Sequence, residues 1–198
     1  MNLANKLTIF RIVLVPIMII ITLFNIPGEF LGIPTIAWIL ELIFVIASIT
    51  DKLDGYIARS RNQITTFGKF LDPIADKILV ITTMIILVEM GKLPAWIPTV
   101  VVFREFIVSG YRLVAVEKGG QVIAASIWGK LKTVTQMIAI IIAILDNNAF
   151  GTVFSGTLTG FPLVINIATT AMMIICTVAT IFSGWDYIKN GKEFFKDM

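Results

Sequence analysis

Four aspartates carry the densest chemistry in this sequence: Asp51, Asp54, Asp72 and Asp76. Asp51 and Asp54 lie three apart and are followed by Gly55 and Ala58. On a helix those four positions form one stripe, so carboxylates and small residues share a face. A bulky ligand can approach the backbone beside the acids, with Arg59 next in line to meet a phosphate. Gly68, Asp72 and Asp76 recur at intervals of four and repeat the arrangement on a second helix. Two helices with two inward carboxylates each would make an all-oxygen site. Hard oxygen donors without His or Cys suit Mg²⁺, Mn²⁺ or Ca²⁺. Four carboxylates beside a membrane repel one another unless cations compensate, and one or two divalent ions are the simplest compensation.

Those helices must sit in a greasy chain. Of 198 residues, 57% are hydrophobic and 15% charged, and the mean hydropathy is +0.92. A soluble domain is nearer a quarter charged. Apolar stretches run roughly over 9–26, 34–50, 71–90, 94–116, 133–146 and 161–184. A spanning helix takes about 20 apolar residues. Continuous runs such as Ile17 to Ile21 differ from the alternation of a membrane β-barrel. The sequence therefore predicts an all-α integral membrane protein of six transmembrane helices in a single domain, 1–198.

Charge distribution predicts its orientation. The outer loops of such a layout, about 27–33, 91–93 and 147–160, hold one Lys or Arg, Lys92. The opposite side carries Lys6, Arg11, Lys52, Arg59, Arg61 and Lys69, then Lys118, Lys130, Lys132, Lys189, Lys192 and Lys196. The positive-inside bias puts both termini and the aspartate segment in the cytoplasm. The same basic side would attract anionic lipid headgroups. The first apolar run outlasts a signal-peptide core and lacks a small-residue cleavage site. One cysteine, Cys176, excludes a disulfide framework. With no histidine, acid–base chemistry falls to Asp, Glu, Lys, Tyr or water.

The string Asp51-x-x-Asp54-Gly55-x-x-Ala58-Arg59, eight residues, then Gly68-x-x-x-Asp72-x-x-x-Asp76 resembles the signature of the CDP-alcohol phosphatidyltransferases at every fixed position. The resemblance implies that family's fold, a homodimer and a cytoplasm-facing metal site holding Mg²⁺ or Mn²⁺ as two ions. It implies that Asp51, Asp54 and Asp72 ligate metal. Asp76 would also touch metal and take a proton from the acceptor alcohol. Gly55, Ala58, Arg59 and Gly68 would line the site for CDP-diacylglycerol, together with Asp51, Asp54, Asn5 and Thr8. The alcohol would attack the phosphate and CMP would leave.

Three further segments are similar to those members of the family whose acceptor is sn-glycerol 3-phosphate. They are Asn5-Lys6-Leu7-Thr8-x-x-Arg11, Arg104-Glu105-x-x-x-Ser109-Gly110-x-Arg112 and Gly129-Lys130-Leu131-Lys132-Thr133. An acceptor bearing a phosphate needs cationic ligands, and Arg104, Arg112, Lys130 and Lys132 are available. Arg104 and Arg112 lie eight apart, about two helical turns. Arg104 alone in an apolar run would be expensive, so a pair with Glu105 or with a carboxylate of the metal site is the structural alternative. Inositol phosphate, serine or phosphatidylglycerol are alternative acceptors. Divalent-cation transport is the alternative from another class, although transport sites favour the midplane on broken helices. The expected setting is a bacterial cytoplasmic membrane, with membrane lipids as surroundings and no nucleic-acid partner.

Overall fold

The computed structural model describes residues 2–24, 26–60, 66–117 and 127–191. Arg61, Lys118, Lys192 and Lys196 lie outside them. For Lys52, Asp54, Gly55, Ala58, Arg59 and Lys69 the helical backbone alone is described. Six α-helices occur among these residues: α1 (Leu3–Leu23), α2 (Thr35–Ser60), α3 (Thr66–Glu89), α4 (Trp96–Glu117), α5 (Ile127–Leu145) and α6 (Gly160–Gly191). A two-stranded hairpin, β1 (Glu29–Phe30) and β2 (Ile33–Pro34), precedes α2, and a 3-10 turn, Thr152–Ser155, precedes α6. Among the described residues, three helices are long and apolar enough to cross a membrane: Asn5–Leu23, Ile127–Leu145 and Gly160–Lys189. The other three are interrupted by charge: Glu41 and Asp51 in α2, Asp72, Asp76 and Lys77 in α3, Arg104, Glu105 and Arg112 in α4.

The helices reach further than the apolar runs. Asn2 caps α1 by accepting from the Asn5 backbone N–H at 3.2 Å, which draws the polar first turn into the helix. The fifth helix takes in its polar start, Gly129 to Thr133. The hairpin turns through Leu31 and Gly32, both with positive φ, 56° and 76°. Two such residues match the turn that follows strand twist, and at Leu31 a Cβ makes the conformation costly. Trp38 secures the hairpin by donating from Nε1 to the Phe30 carbonyl at 3.1 Å.

The chain forms two compact units, 1–93 with 141–149, and 94–140 with 150–198. In the first, α1 packs on α2 and α3. Its core includes Met18, Ala37, Phe44, Ala47, Ala75 and Met84, all fully buried. In the second, α4 packs on α6. There Trp128 stacks on Phe182 with centroids 4.9 Å apart. The 3-10 turn is tied to α6 by Gly151 N–H donating to Thr170 Oγ1 at 3.1 Å and Val153 N–H donating to Asn166 Oδ1 at 2.8 Å. Large apolar side chains such as Leu23, Phe103, Phe106 and Trp185 remain exposed, as lipid-facing surfaces require.

At one end of the first unit, Lys92 is buried and its ammonium donates to the Ile144 carbonyl at the last turn of α5. A cation there also suits the helix dipole. Asp146, itself buried, accepts from the Asn148 backbone N–H at 2.9 Å and from its Nδ2 at 3.2 Å. Asn147 donates to the Gly32 carbonyl, which joins this end of α5 to the hairpin. The one cation of the expected outer loops is thus an internal tie. Burial lowers the Lys92 ammonium to about 8, against Asp146, which acts upward. In the unfolded chain the same group titrates near ~10.4. Between those values the unfolded state binds more protons, so stability rises with pH. The thermal midpoint of the detergent-solubilised protein should rise from pH 8 towards about pH 10. Lys92→Met should flatten that rise, and an unchanged pH profile in this variant would show that the slope comes from elsewhere.

Candidate active site

The first turns of α1 present a buried polar stripe. Asn5, Thr8 and Arg11 are 7%, 0% and 0% exposed, and their spacing of three keeps them along one side of the helix. Farther along, α1 buries apolar Leu14, Val15 and Met18. Arg11 reaches α2. Its Nη1 lies 2.8 Å from Asp51 Oδ1 as an ion pair, and its Nε donates to the Ala47 carbonyl at 3.3 Å. Ala47 is one turn before Asp51, so one planar guanidinium fixes both the helix backbone and the acid. Thr8 reaches α3, where its hydroxyl donates to Asp72 Oδ1 at 2.8 Å. One short stretch of α1 therefore holds both acidic helices.

On α3, Gly68 is buried, and Asp72 and Asp76 are partly buried one turn apart. Asp54 follows Asp51 by three residues on α2, and its side chain lies outside the described ones. Among the described residues no group of three His, Cys, Asp or Glu side chains is close enough to hold a metal ion. Asp51 and Asp72 each use Oδ1 in the contacts above. Both are carboxylates, the hard oxygen donors that suit a cation such as Mg²⁺ or Mn²⁺.

The predicted basic residues gather in the second unit. Arg104 donates from Nη1 to Glu105 Oε1 at 2.8 Å and from Nη2 to Ser183 Oγ at 2.5 Å. Lys132 on α5 donates to the same Glu105 Oε1 at 2.7 Å. Arg112 donates from Nη2 to the Tyr187 hydroxyl at 2.9 Å. The Arg104 and Arg112 guanidinium carbons lie 5.7 and 5.6 Å from the centre of the Tyr187 ring. The structure thus links Arg104, Arg112 and Lys132, whereas Lys130 stays exposed nearby on α5. Glu105, foreseen as a partner of Arg104, also joins Lys132. Ser183 and Tyr187 were not foreseen. The available signal was their i, i+4 spacing on α6, but only the folded chain shows which arginines they meet.

Removing the α1 tether should be measurable. Arg11→Ala leaves Asp51 without its cation and the Ala47 carbonyl without that donor. Breaking a fully buried pair costs roughly 3–5 kcal/mol, and the partial exposure of Asp51 (41% of its side chain) should bring the loss below that range. Arg11→Lys should recover part of it, because a lysine cannot supply the fork that also reaches the carbonyl. Thr8→Val should cost about 1 kcal/mol. Denaturation midpoints in detergent test both, and a wild-type midpoint for Arg11→Ala would dismiss the tether.

Sequence comparison adds relatives to this geometry. The pattern described as CDP-alcohol phosphatidyltransferase matches residues 1–184. A Bacillus subtilis CDP-diacylglycerol–glycerol-3-phosphate 3-phosphatidyltransferase is 42% identical over 98% of this chain and 97% of its own length. A protein of the same name from Haemophilus influenzae is 36% identical over 99% and 96%. A probable phosphatidylglycerophosphate synthase of Mycobacterium tuberculosis is 37% identical over 94% of this chain and 80% of its own. With its paired aspartate helices and its apolar spans, the chain is a membrane protein that belongs to the CDP-alcohol phosphatidyltransferase family.

Proposed function

We propose that the chain transfers the phosphatidyl group of CDP-diacylglycerol to sn-glycerol 3-phosphate, giving phosphatidylglycerophosphate and CMP. The reaction class rests on likeness to the relatives of that name over nearly the full chain. The geometric observation that supports a phosphorylated acceptor is the Arg104, Arg112 and Lys132 network. Three linked cations suit a phosphate better than a neutral alcohol. The reading takes 1–198 as one catalytic domain, a homodimer in a bacterial cytoplasmic membrane, with six spans, both termini inside and the site facing the cytoplasm.

In this reading Asp51, Asp54, Asp72 and Asp76 would hold Mg²⁺ or Mn²⁺, two ions in all. A divalent cation bound there supplies charge neutralisation at the phosphate oxygens and at the leaving group. Arg11 and Thr8 keep Asp51 and Asp72 in fixed rotamers. Gly55, Ala58 and Gly68 leave room for the nucleotide, Arg59 meets its phosphate, and Asn5 and Thr8 complete the CDP-diacylglycerol site. Asp76 accepts the proton of the acceptor hydroxyl. The hydroxyl oxygen bonds to the phosphorus that bears diacylglycerol, and the bond from that phosphorus to CMP breaks. Arg104, Arg112, Lys130 and Lys132 hold the acceptor's own phosphate.

Purified protein should release CMP from labelled CDP-diacylglycerol with glycerol 3-phosphate, and not with inositol phosphate, serine or phosphatidylglycerol. Turnover of one of these alcohols without use of glycerol 3-phosphate would overturn the acceptor. Chelation should abolish turnover, and added Mg²⁺ or Mn²⁺ should restore it. Asp76→Asn should lower turnover by about 10²–10⁴-fold, the usual contribution of a positioned base. Metal flux into liposomes without lipid substrate, with no CMP formed, would favour a transporter.

A further inference from the structure

We propose that Glu105, Ser183 and Tyr187 are positioning residues, which hold Arg104, Arg112 and Lys132 as a preformed receptor for a phosphate monoester dianion. This rests on the acceptor reading above and adds Ser183 and Tyr187, which the sequence did not single out, and a second cation for Glu105 to hold.

Tyr187 is 2% exposed and stands at the centre of the network. Its ring lies beside both guanidinium groups, at 5.7 and 5.6 Å, and its hydroxyl accepts from Arg112 at 2.9 Å. Two arginines eight apart on α4 are thus attracted to one aromatic ring instead of splaying apart. Ser183, one turn earlier on α6 and fully buried, accepts from Arg104. Glu105 fastens Arg104 to Lys132 through one carboxylate oxygen, which couples α4 to α5.

The charge balance distinguishes a receptor from a structural ion pair. Three cations and one carboxylate leave +2. A phosphate monoester carries about −1.5 to −2 near neutral pH. A cluster built only for stability would be expected to come closer to neutrality, since excess charge within membrane-spanning helices is costly. A donor is also left over. Arg104 Nε is buried and has no partner among the described residues, although buried donors are nearly always satisfied. Arg112 is exposed and uses one of its donors on Tyr187. The remaining donors of both arginines suit phosphate oxygens, which accept readily from a planar fork.

The test measures KM for glycerol 3-phosphate, KM for CDP-diacylglycerol, kcat and glycerol 3-phosphate binding by calorimetry. Tyr187→Phe removes the hydroxyl and keeps the ring, and should raise KM for the acceptor by about tenfold, the effect of losing one hydrogen bond to a charged group. Tyr187→Leu should raise it further. Glu105→Ala should raise it by about tenfold or more, whereas Glu105→Gln keeps an oxygen for both donors and should stay within about threefold of wild type. Throughout, kcat and KM for CDP-diacylglycerol should change less than about twofold, and calorimetric affinity should fall in step with KM. Lowered denaturation midpoints with unchanged acceptor KM would overturn the proposal, as would parallel changes for both substrates. If the wild type uses glycerol 3-phosphate and the variants keep its KM, this inference fails and the function stands. If the wild type uses another phosphorylated alcohol, the function fails and the same variants are judged on that alcohol. Use of an unphosphorylated alcohol alone overturns both.

Discussion

A guanidinium cannot be buried at the edge of a membrane-spanning helix without a partner, and Arg11 is completely buried. Its pairing with Asp51 and with the Ala47 carbonyl is the constraint on which the acidic side of the molecule depends. Desolvating the cation is costly, and the recovered energy depends on α2 presenting both oxygens in one register. A slip of α2 by one residue would turn Asp51 by about a hundred degrees away from Arg11. Thr8 applies a similar restraint to α3 through Asp72. The apolar core of α1 continues along the helix through Leu14, Val15 and Met18, so packing and polar pairing restrain it together.

The second unit follows the same rule with the signs exchanged. Arg104 and Lys132 are mostly buried, at 12% and 8% of their side chains, and they share the Glu105 carboxylate. Arg112 needs less compensation because it is exposed. Tyr187 serves two arginines through its ring and one through its hydroxyl. Gly184, between Ser183 and Trp185, packs against the Arg104 stem, whose Cγ lies 3.4 Å from where a Cβ would stand, an ordinary van der Waals contact.

Much of this could be read from residue spacing. The intervals 51, 54, 55, 58 and 68, 72, 76 place acids and small residues on helices, and both segments are helical. What could not be read was pairing across the chain. Arg11 looks like an interfacial cation that sets topology, because its partner is forty residues away. Arg112 reads only as an available cationic ligand, and its contact with Tyr187 depends on how α6 packs on α4. Lys92 looks like an outer-loop charge, yet it closes a helix end from within. The hairpin at 29–34 was also hidden, since two-residue strands carry no periodicity. Helix ends shifted because local capping and tertiary packing extend a helix beyond its apolar run, as Asn2 does for α1.

The two units also differ in what their contacts leave available. Asp51 meets a cation, but Asp72 meets a neutral hydroxyl. A lysine at position 8 could also restrain Asp72, but it would cancel the charge that a bound cation needs. Threonine fixes the carboxylate rotamer and leaves its charge intact. Around Arg104 the restraint is charged, because Glu105 must hold two cations together, and the excess is retained by having three cations against one acid. Restraint without neutralisation is therefore achieved by a neutral partner at Asp72 and by surplus charge on the basic side, while Asp51 is held by a cation. In both places rigidity is gained from groups that leave ligand-binding atoms free, as a preorganised site requires.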